Sequence, residues 1–244
     1  MTCTVVIPVH TNKLSKNHIL GAQRALDLFK DFSPVILCHS RIVDWVKATF
    51  GFSVSLKIVD FAYLKSVRDY NRLMLSVDFY DQFSASDYIL ICQPDVFVYH
   101  NSLTKFYNKG DYGGALTLFN EHQPVVGNGG FSIRKVKAMQ HILSRRLVVP
   151  KMWRLSLPIW KRFVLGCAIR VGFEDYFVRS GRVNEDYVLS MMMESNDVMN
   201  EIDASWFSQD AIAPKHNVTP MAFHAWEKYA SVEERNYILR QLNG

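Results

Sequence analysis

Tyr88-Ile89-Leu90-Ile91-Cys92-Gln93-Pro94-Asp95 is the stretch on which the reading of the whole chain turns. Five apolar residues in a row, with no polar residue between them, suit a strand buried on both faces. Such strands belong to parallel sheets covered by helices. The run ends at Gln93-Pro94, because proline cannot donate to a sheet ladder. Asp95 therefore stands just beyond the C-terminal end of a central strand, where open α/β sheets bind their ligands.

Upstream, Thr4-Val5-Val6-Ile7-Pro8-Val9 repeats the pattern, with β-branched residues and a proline near its end. From His18 to Phe32 the apolar residues Ile19, Ala22, Leu26 and Phe29 recur at helical spacing. A strand at Pro34 to Cys38, a helix at Ile42 to Phe50 and a strand at Val54 to Val59 follow. A further helix is predicted from Val67 to Phe83, with Tyr70, Leu73, Met74 and Val77 inward. This alternation predicts an α/β fold with a single Rossmann-like, mostly parallel sheet flanked by helices.

Downstream, Val96-Phe97-Val98 is a short extended piece, and Gly110 to Gly130 reads as two turns and at least one strand. Ile133-Arg134-Lys135-Val136 reads as the start of a helix whose amides would face the preceding glycines. Asn184-Glu185-Asp186 opens another helical stretch, and Val232 to Leu242 reads as a polar terminal helix. No repeat or low-complexity linker interrupts the chain. Residues 1–244 are read as one domain with a basic, aromatic insert at about 145–170.

The composition is that of a globular protein, with 49% hydrophobic and 21% charged residues. The 28 Lys and Arg exceed the 23 Asp and Glu, a net charge of +5 that suits phosphate-rich partners. No apolar run has the length of a membrane span. Met1 to His10 enters a strand without a basic leader, which predicts a cytoplasmic protein. Cys3, Cys38, Cys92 and Cys167 lie far apart and fit reduced thiols. Asn217-Val218-Thr219 matches a glycosylation sequon, read as coincidental in that compartment. No nucleic-acid-binding module appears, so no nucleic-acid partner is expected.

Four segments carry candidate chemistry. Asp95 is either a turn former or a ligand for Mg²⁺ or Mn²⁺, which take carboxylates together with substrate phosphates. In Gly127-Asn128-Gly129-Gly130-Phe131-Ser132, three glycines in four positions admit a close approach of backbone to ligand or simply a tight turn. Glu185 and Asp186 at a helix start are either capping carboxylates or a general base with its neighbour. His224, in Phe223-His224-Ala225-Trp226, is either a packed core residue or a further metal ligand. In the insert, Lys and Arg alternate with Trp and Leu. That pattern fits either a loop packed on the domain or an interfacial segment on an anionic membrane.

Taken in order, these segments resemble a family of small, mostly bacterial GT-A-fold glycosyltransferase-like proteins long catalogued as a domain of unknown function. Tyr70-Asn71-Arg72-Leu73, Asp78-Phe79-Tyr80 and Val126 belong to the same ordered set. The resemblance implies a nucleotide-sugar donor bound by Pro8, Val9, His10, Asn71, Gln93 and Asp95. A UDP-sugar is favoured. Gln93-Pro94-Asp95 falls where such enzymes carry an Asp-any-Asp motif, so Gln93 replaces the first acid and Asp95 becomes the metal ligand. His224 is similar to the histidine that completes that site. Gly127, Asn128, Gly129 and Gly130 look like the loop meeting donor sugar and acceptor. Asp186, favoured over Glu185, resembles the base of inverting enzymes, and a retaining outcome stays open.

The resemblance further implies a glycan or lipid-linked glycan acceptor in bacterial surface polysaccharide synthesis, at the inner face of the cytoplasmic membrane. The alternatives are a catalytically silent nucleotide-sugar-binding or membrane-associated assembly protein, and a sugar nucleotidyltransferase. Against the latter, His10-Thr11-Asn12-Lys13 lacks the glycine-rich basic loop expected after its first strand.

Overall fold

The computed structural model describes residues 1–119, 123–194, 196–214 and 217–243. Its first half runs β1 (Cys3–Pro8), α1 (Lys16–Leu28), β2 (Val35–His39), α2 (Val43–Phe50), β3 (Ser55–Val59), α3 (Val67–Met74), α4 (Val77–Asp81) and β4 (Tyr88–Cys92). Then come β5 (Val96–Val98), β6 (Tyr112–Gly114), β7 (Leu116–Phe119), β8 (Gln123–Val126), β9 (Phe131–Lys135) and α5 (Val136–Leu143). The insert forms α6 (Lys151–Ser156) and α7 (Ile159–Arg170), followed by α8 (Glu174–Phe177) and α9 (Glu185–Met192). The chain closes with α10 (Glu201–Phe207), β10 (Ser208–Gln209), β11 (Ala222–His224), α11 (Trp226–Tyr229) and α12 (Val232–Asn243).

The central sheet has the order β3-β2-β1-β4-β9-β6. Its first four strands are parallel, and β9 runs antiparallel to both β4 and β6. This is the α/β, mostly parallel arrangement that the sequence predicts. Alternation along the strands sends side chains to two separate cores. Val5, Ile7 and Leu90 pack with Ala22 and Ala25 of α1, whereas Val6, Ile89 and Ile91 pack with Leu73, Met74 and Phe79. Each of these larger aliphatic and aromatic side chains, when fully buried, contributes about 1.5–3 kcal/mol. A three-stranded sheet, β10-β11-β5, stands beside the central one over a small core of Phe97, Phe223, Trp226 and Ile238.

Two expectations are corrected. The helix expected from 67 to 83 is broken in two, because Ser76 caps α4 by accepting the Phe79 amide at 3.3 Å. Its hydroxyl also donates to Leu73 O at 2.8 Å, which closes the end of α3. The helix expected to begin at Ile133 starts three residues later, at Val136, because β9 runs on through Lys135 and the free edge of β4 pairs Cys92 with Phe131 through Tyr88 with Lys135. The Val136 amide bonds Asp87 O, at the opposite end of β4 from Gln93. The amides of α5 thus point away from the glycines.

The glycine-rich stretch 110–130 contributes three short strands, with 120–122 outside the described residues. Cys3, Cys38 and Cys92 are buried, and Cys167 is exposed. Among the described residues no helix is long and apolar enough to cross a membrane.

Candidate active site

At the C-terminal ends of β1 and β4 lies a cleft of about 570 Å³. It brings together Pro8, His10, Asn71, Gln93, Asp95, Asn128, Gly129, Gly130, Glu185, Asp186 and His224. Residues separated by most of the chain thus meet where the sheet topology places ligands. Two expected members are not in it. Val9 is fully buried and continues the pairing of β1, its amide bonding Leu37 O at 2.8 Å. Gly127 packs behind the cleft against the Tyr112 ring and Ser190.

One wall is assembled by the small sheet. The antiparallel register of β11 with β5 sets His224 opposite Val96, next to Asp95, and the Ala225 amide bonds Asp95 O at 3.2 Å. The parallel register of β10 with β11 pairs Gln209 with Phe223, which carries Asp210 alongside His224. His224 Nε2 lies 3.5 Å from Asp95 Oδ2, and Nδ1 lies 3.5 Å from Asp210 Oδ1. Asp210 also accepts a hydrogen bond from the Asn128 side-chain amide. Ala225 follows His224 in a left-handed conformation, φ 51°, uncommon for a residue with a Cβ. Such strain is kept where the surrounding structure overrides it, often at functional sites. Burial works to lower the His224 pKa, but Asp210 and Asp95 outweigh it and raise the value.

Among the described residues no group of three or more His, Cys, Asp or Glu is arranged to hold a metal ion. The donor set is instead a pair, the Asp95 carboxylate and His224 Nε2. Asp210 Oδ1 and His224 Nδ1 are buried and reach no partner at hydrogen-bonding geometry. Two protein donors suit Mg²⁺ or Mn²⁺, which complete their shells with phosphate and water oxygens. The residues fit such an ion.

The other wall comes from α9. Arg134 of β9 is fully buried and donates from Nη2 to Glu185 Oε1 at 3.0 Å, from Nη1 to Tyr80 Oη at 2.9 Å and from Nε to Ser132 Oγ at 3.0 Å. Glu185 is thus held in an ion pair, and Asp186 is the carboxylate left to act. Asp186 accepts from the Tyr187 amide at 2.8 Å and from the Gly129 amide at 3.4 Å. Burial, and then the neighbouring Glu185 charge, push its pKa up to about 7 against these hydrogen bonds. A carboxyl titrating near neutrality is matched to general-base work.

The glycines between the walls are there for contact. A Cβ on Gly129 would run into the Glu185 carboxylate, and one on Gly130 would run into the His224 ring. Gly130 O also accepts the Gln93 amide at 2.8 Å, locking the loop to the end of β4. The sequence reading missed Asp210, Arg134 and Tyr70. Tyr70 lines the cleft with its hydroxyl buried, and burial followed by the Glu185 charge raises its pKa. Each is a single residue in or just beyond an ordinary strand or helix, and only the register of partners distant in sequence reveals it.

The family described as "Protein of unknown function (DUF5672)" matches residues 53–224. No curated protein matches the sequence. Among solved structures, the chain is similar to the galactosyltransferase LgtC in complex with donor and acceptor sugar analogs, with TM-score 0.54 and 13% identity over 99% of this chain and 96% of that one. Mouse xyloside xylosyltransferase 1 in its apo form gives TM-score 0.51 and 14% identity over 91% and 96%. The apo-form glycosyltransferase GlyE of Streptococcus pneumoniae TIGR4 gives 0.53 and 12% over 99% and 60%. The fold is that of the GT-A glycosyltransferases.

Proposed function

Because the chain belongs to the DUF5672 family and has a GT-A fold, we propose that it transfers a sugar from a nucleoside-diphosphate donor to a hydroxyl of a glycan or glycolipid. The observation that carries this reading is the facing of two unlike groups across one cleft. Asp186 has a pKa of about 7, and its charge acts on His224, which lies beside Asp95 on the opposite wall.

In this reading the acceptor oxygen attacks the anomeric carbon of the donor sugar. The bond from that carbon to the diphosphate breaks, and its electron pair leaves with the diphosphate. Asp186 takes the acceptor proton, and the single displacement inverts the anomeric centre. Glu185, clamped by Arg134, keeps its charge beside Asp186 and so keeps that carboxylate basic. Gly129 and Gly130 let the backbone close against both walls. Asp95 and His224 would hold a divalent cation, Mn²⁺ or Mg²⁺, together with the diphosphate oxygens. When bound, it would stabilise the charge of the departing group by several kcal/mol. Asp210, on the far nitrogen of His224, orients the ring.

A thermal-shift screen against nucleoside diphosphates and their sugars, uridine diphosphate sugars first, with and without Mn²⁺, tests the reading. A nucleotide well above its dissociation constant stabilises the fold by about 2–4 kcal/mol. A shift strengthened by Mn²⁺, together with release of the diphosphate on adding acceptor, supports the transferase. Binding with no turnover on any glycan acceptor would favour a nucleotide-sugar-binding protein instead.

A further inference from the structure

We propose that the outer face of α7, with the turn that follows it, rests on an anionic lipid surface. The proposal goes beyond the transfer reaction and stands without it. Between residues 144 and 173 the chain carries seven Lys and Arg and no Asp or Glu. The structure shows how this segment is presented.

α7 packs inward through Leu165, 4% exposed, and through the partly buried Ile169. At about 100° per residue, Ile159, Trp160, Phe163 and Val164 fall on the opposite side. They are open to solvent, Phe163 at 72% and Trp160 at 65%. Val171 and Phe173, just past the helix, extend the exposed apolar surface. A surface helix normally turns such residues toward the core. Here the apolar arc points out, with exposed Arg170 within it and exposed Lys161 beside it, and Lys161 Nζ sits 5.3 Å from the centre of the Trp160 ring.

The segment is anchored rather than loose. Glu174 and Asp175, the first acids after it, turn inward to accept the Val149 amide at 3.0 Å and the Leu147 amide at 2.7 Å. Arg179 donates to Leu143 O and Arg145 O, both at 2.8 Å. These bonds tie both ends of the insert to the body of the protein. They also remove the nearest carboxylates from its outer side.

The charge selects the occupant. A second copy of the chain, paired about a two-fold axis, would set this basic face against itself with no acid in the segment to offset it. A bilayer with anionic headgroups meets both needs, because basic side chains reach the phosphates while Trp and Phe enter the interface. Since no helix among the described residues is long and apolar enough to span, the contact would be peripheral.

The test is co-sedimentation of the full chain with phosphatidylcholine vesicles, with and without phosphatidylglycerol. The expected result is binding to the anionic vesicles at low salt, reduced at about 0.5 M salt, where the screening length is only a few ångströms. The pair Trp160→Ser with Phe163→Ser should weaken partitioning about tenfold or more, and the pair Lys161→Glu with Arg170→Glu by a similar factor. All four side chains are on the surface, so melting temperature and nucleotide-induced shifts should stay as in the parent protein. That readout separates failure of this proposal from failure of the transferase reading. The proposal is overturned if the anionic vesicles are not bound at low salt, or if both variant pairs bind like the parent. It is overturned equally if the parent is a dimer that the Trp160/Phe163 pair splits into monomers.

Discussion

Arg134 donates to Ser132, Tyr80 and Glu185 on one wall of the cleft, at 2.9 to 3.0 Å, whereas on the other wall His224 stands 3.5 Å from the carboxylates of both Asp95 and Asp210. The first wall is a closed set of short bonds around a fully buried cation. Its geometry is over-determined, which lets it keep one carboxylate charged and force the pKa of the next one up. The second wall is under-satisfied, and its donor atoms face the substrate space. One wall fixes a base in place, and the other leaves ligand atoms for a charged group that arrives with the donor. A transferase needs both, and the distances tell them apart.

The largest effect should come from the open wall. Asp95→Asn removes the single carboxylate of the Asp95–His224 pair, and transfer is expected to fall about 10⁴-fold. Asp95 is only partly buried, so stability should stay within about 0.5 kcal/mol of the parent by denaturant melting. Transfer that survives both this change and a chelator would remove the cation from the mechanism.

The closed wall should respond in the opposite way, through stability. Arg134→Met leaves Glu185 as an unpaired buried charge, and the expected loss is about 3–5 kcal/mol. Adding Glu185→Gln to that variant should return a substantial part of it, because the stranded charge is gone. Equal losses for the single and double variants would mean that Arg134 matters for packing alone.

How far the sequence was legible follows the same division. The central strands were readable because burial on both faces leaves an unbroken apolar run, as in Tyr88 to Cys92, and the chain supplies it locally. Asp95, Asp186 and His224 were readable as candidates because each sits at the end of such a run or beside a distinctive neighbour. What was not readable is pairing at a distance. Asp210 lies next to His224 only through the register of β10 on β11, and Arg134 meets Glu185 only because β9 pairs antiparallel with β4. The late start of the helix expected from Ile133 has the same origin, since a free strand edge overrode local preference as far as Lys135. The three glycines at 127, 129 and 130 look alike in sequence. Two of them make room for side chains of the site, and the third packs behind it.

Asp186 joins the two walls, and its titration sharpens the contrast. Asp186→Asn should lower transfer about 10³-fold. In the parent, transfer should rise with pH through about 7, as the carboxylate loses its proton and becomes a base. Stability should move the other way. The folded-state pKa is about 7 against an ordinary value of 3.8, so the folded form holds the proton more tightly. The penalty for burying this group therefore begins near pH 4, grows to about pH 7 and is constant above. Asparagine carries no such penalty, so the inactive variant should be the more stable protein at pH 8, by about 4 kcal/mol. The two proteins should melt alike near pH 4. A variant less stable than the parent at pH 8 would contradict the raised pKa.

The smallest expected effect separates orientation from ligation within the open wall. Asp210 touches His224 through Nδ1, the nitrogen turned away from Asp95, and it also holds the Asn128 side chain. It therefore acts on the ring and the loop rather than on the donor itself. Carboxylates that orient a ligating histidine typically change metal affinity 10- to 100-fold. Asp210→Asn keeps the shape but loses the charge, so Mn²⁺ affinity measured by titration calorimetry with nucleoside diphosphate present should weaken about tenfold. Saturating Mn²⁺ should then recover most of the transfer rate, which it cannot do for Asp95→Asn. If excess metal fails to rescue Asp210→Asn, Asp210 is itself a ligand, and the open wall is a three-residue site that closes when the donor binds. If Mn²⁺ affinity is unchanged, the long contact between Asp210 and His224 carries no orienting force, and the strained turn at Ala225 alone aims the ring.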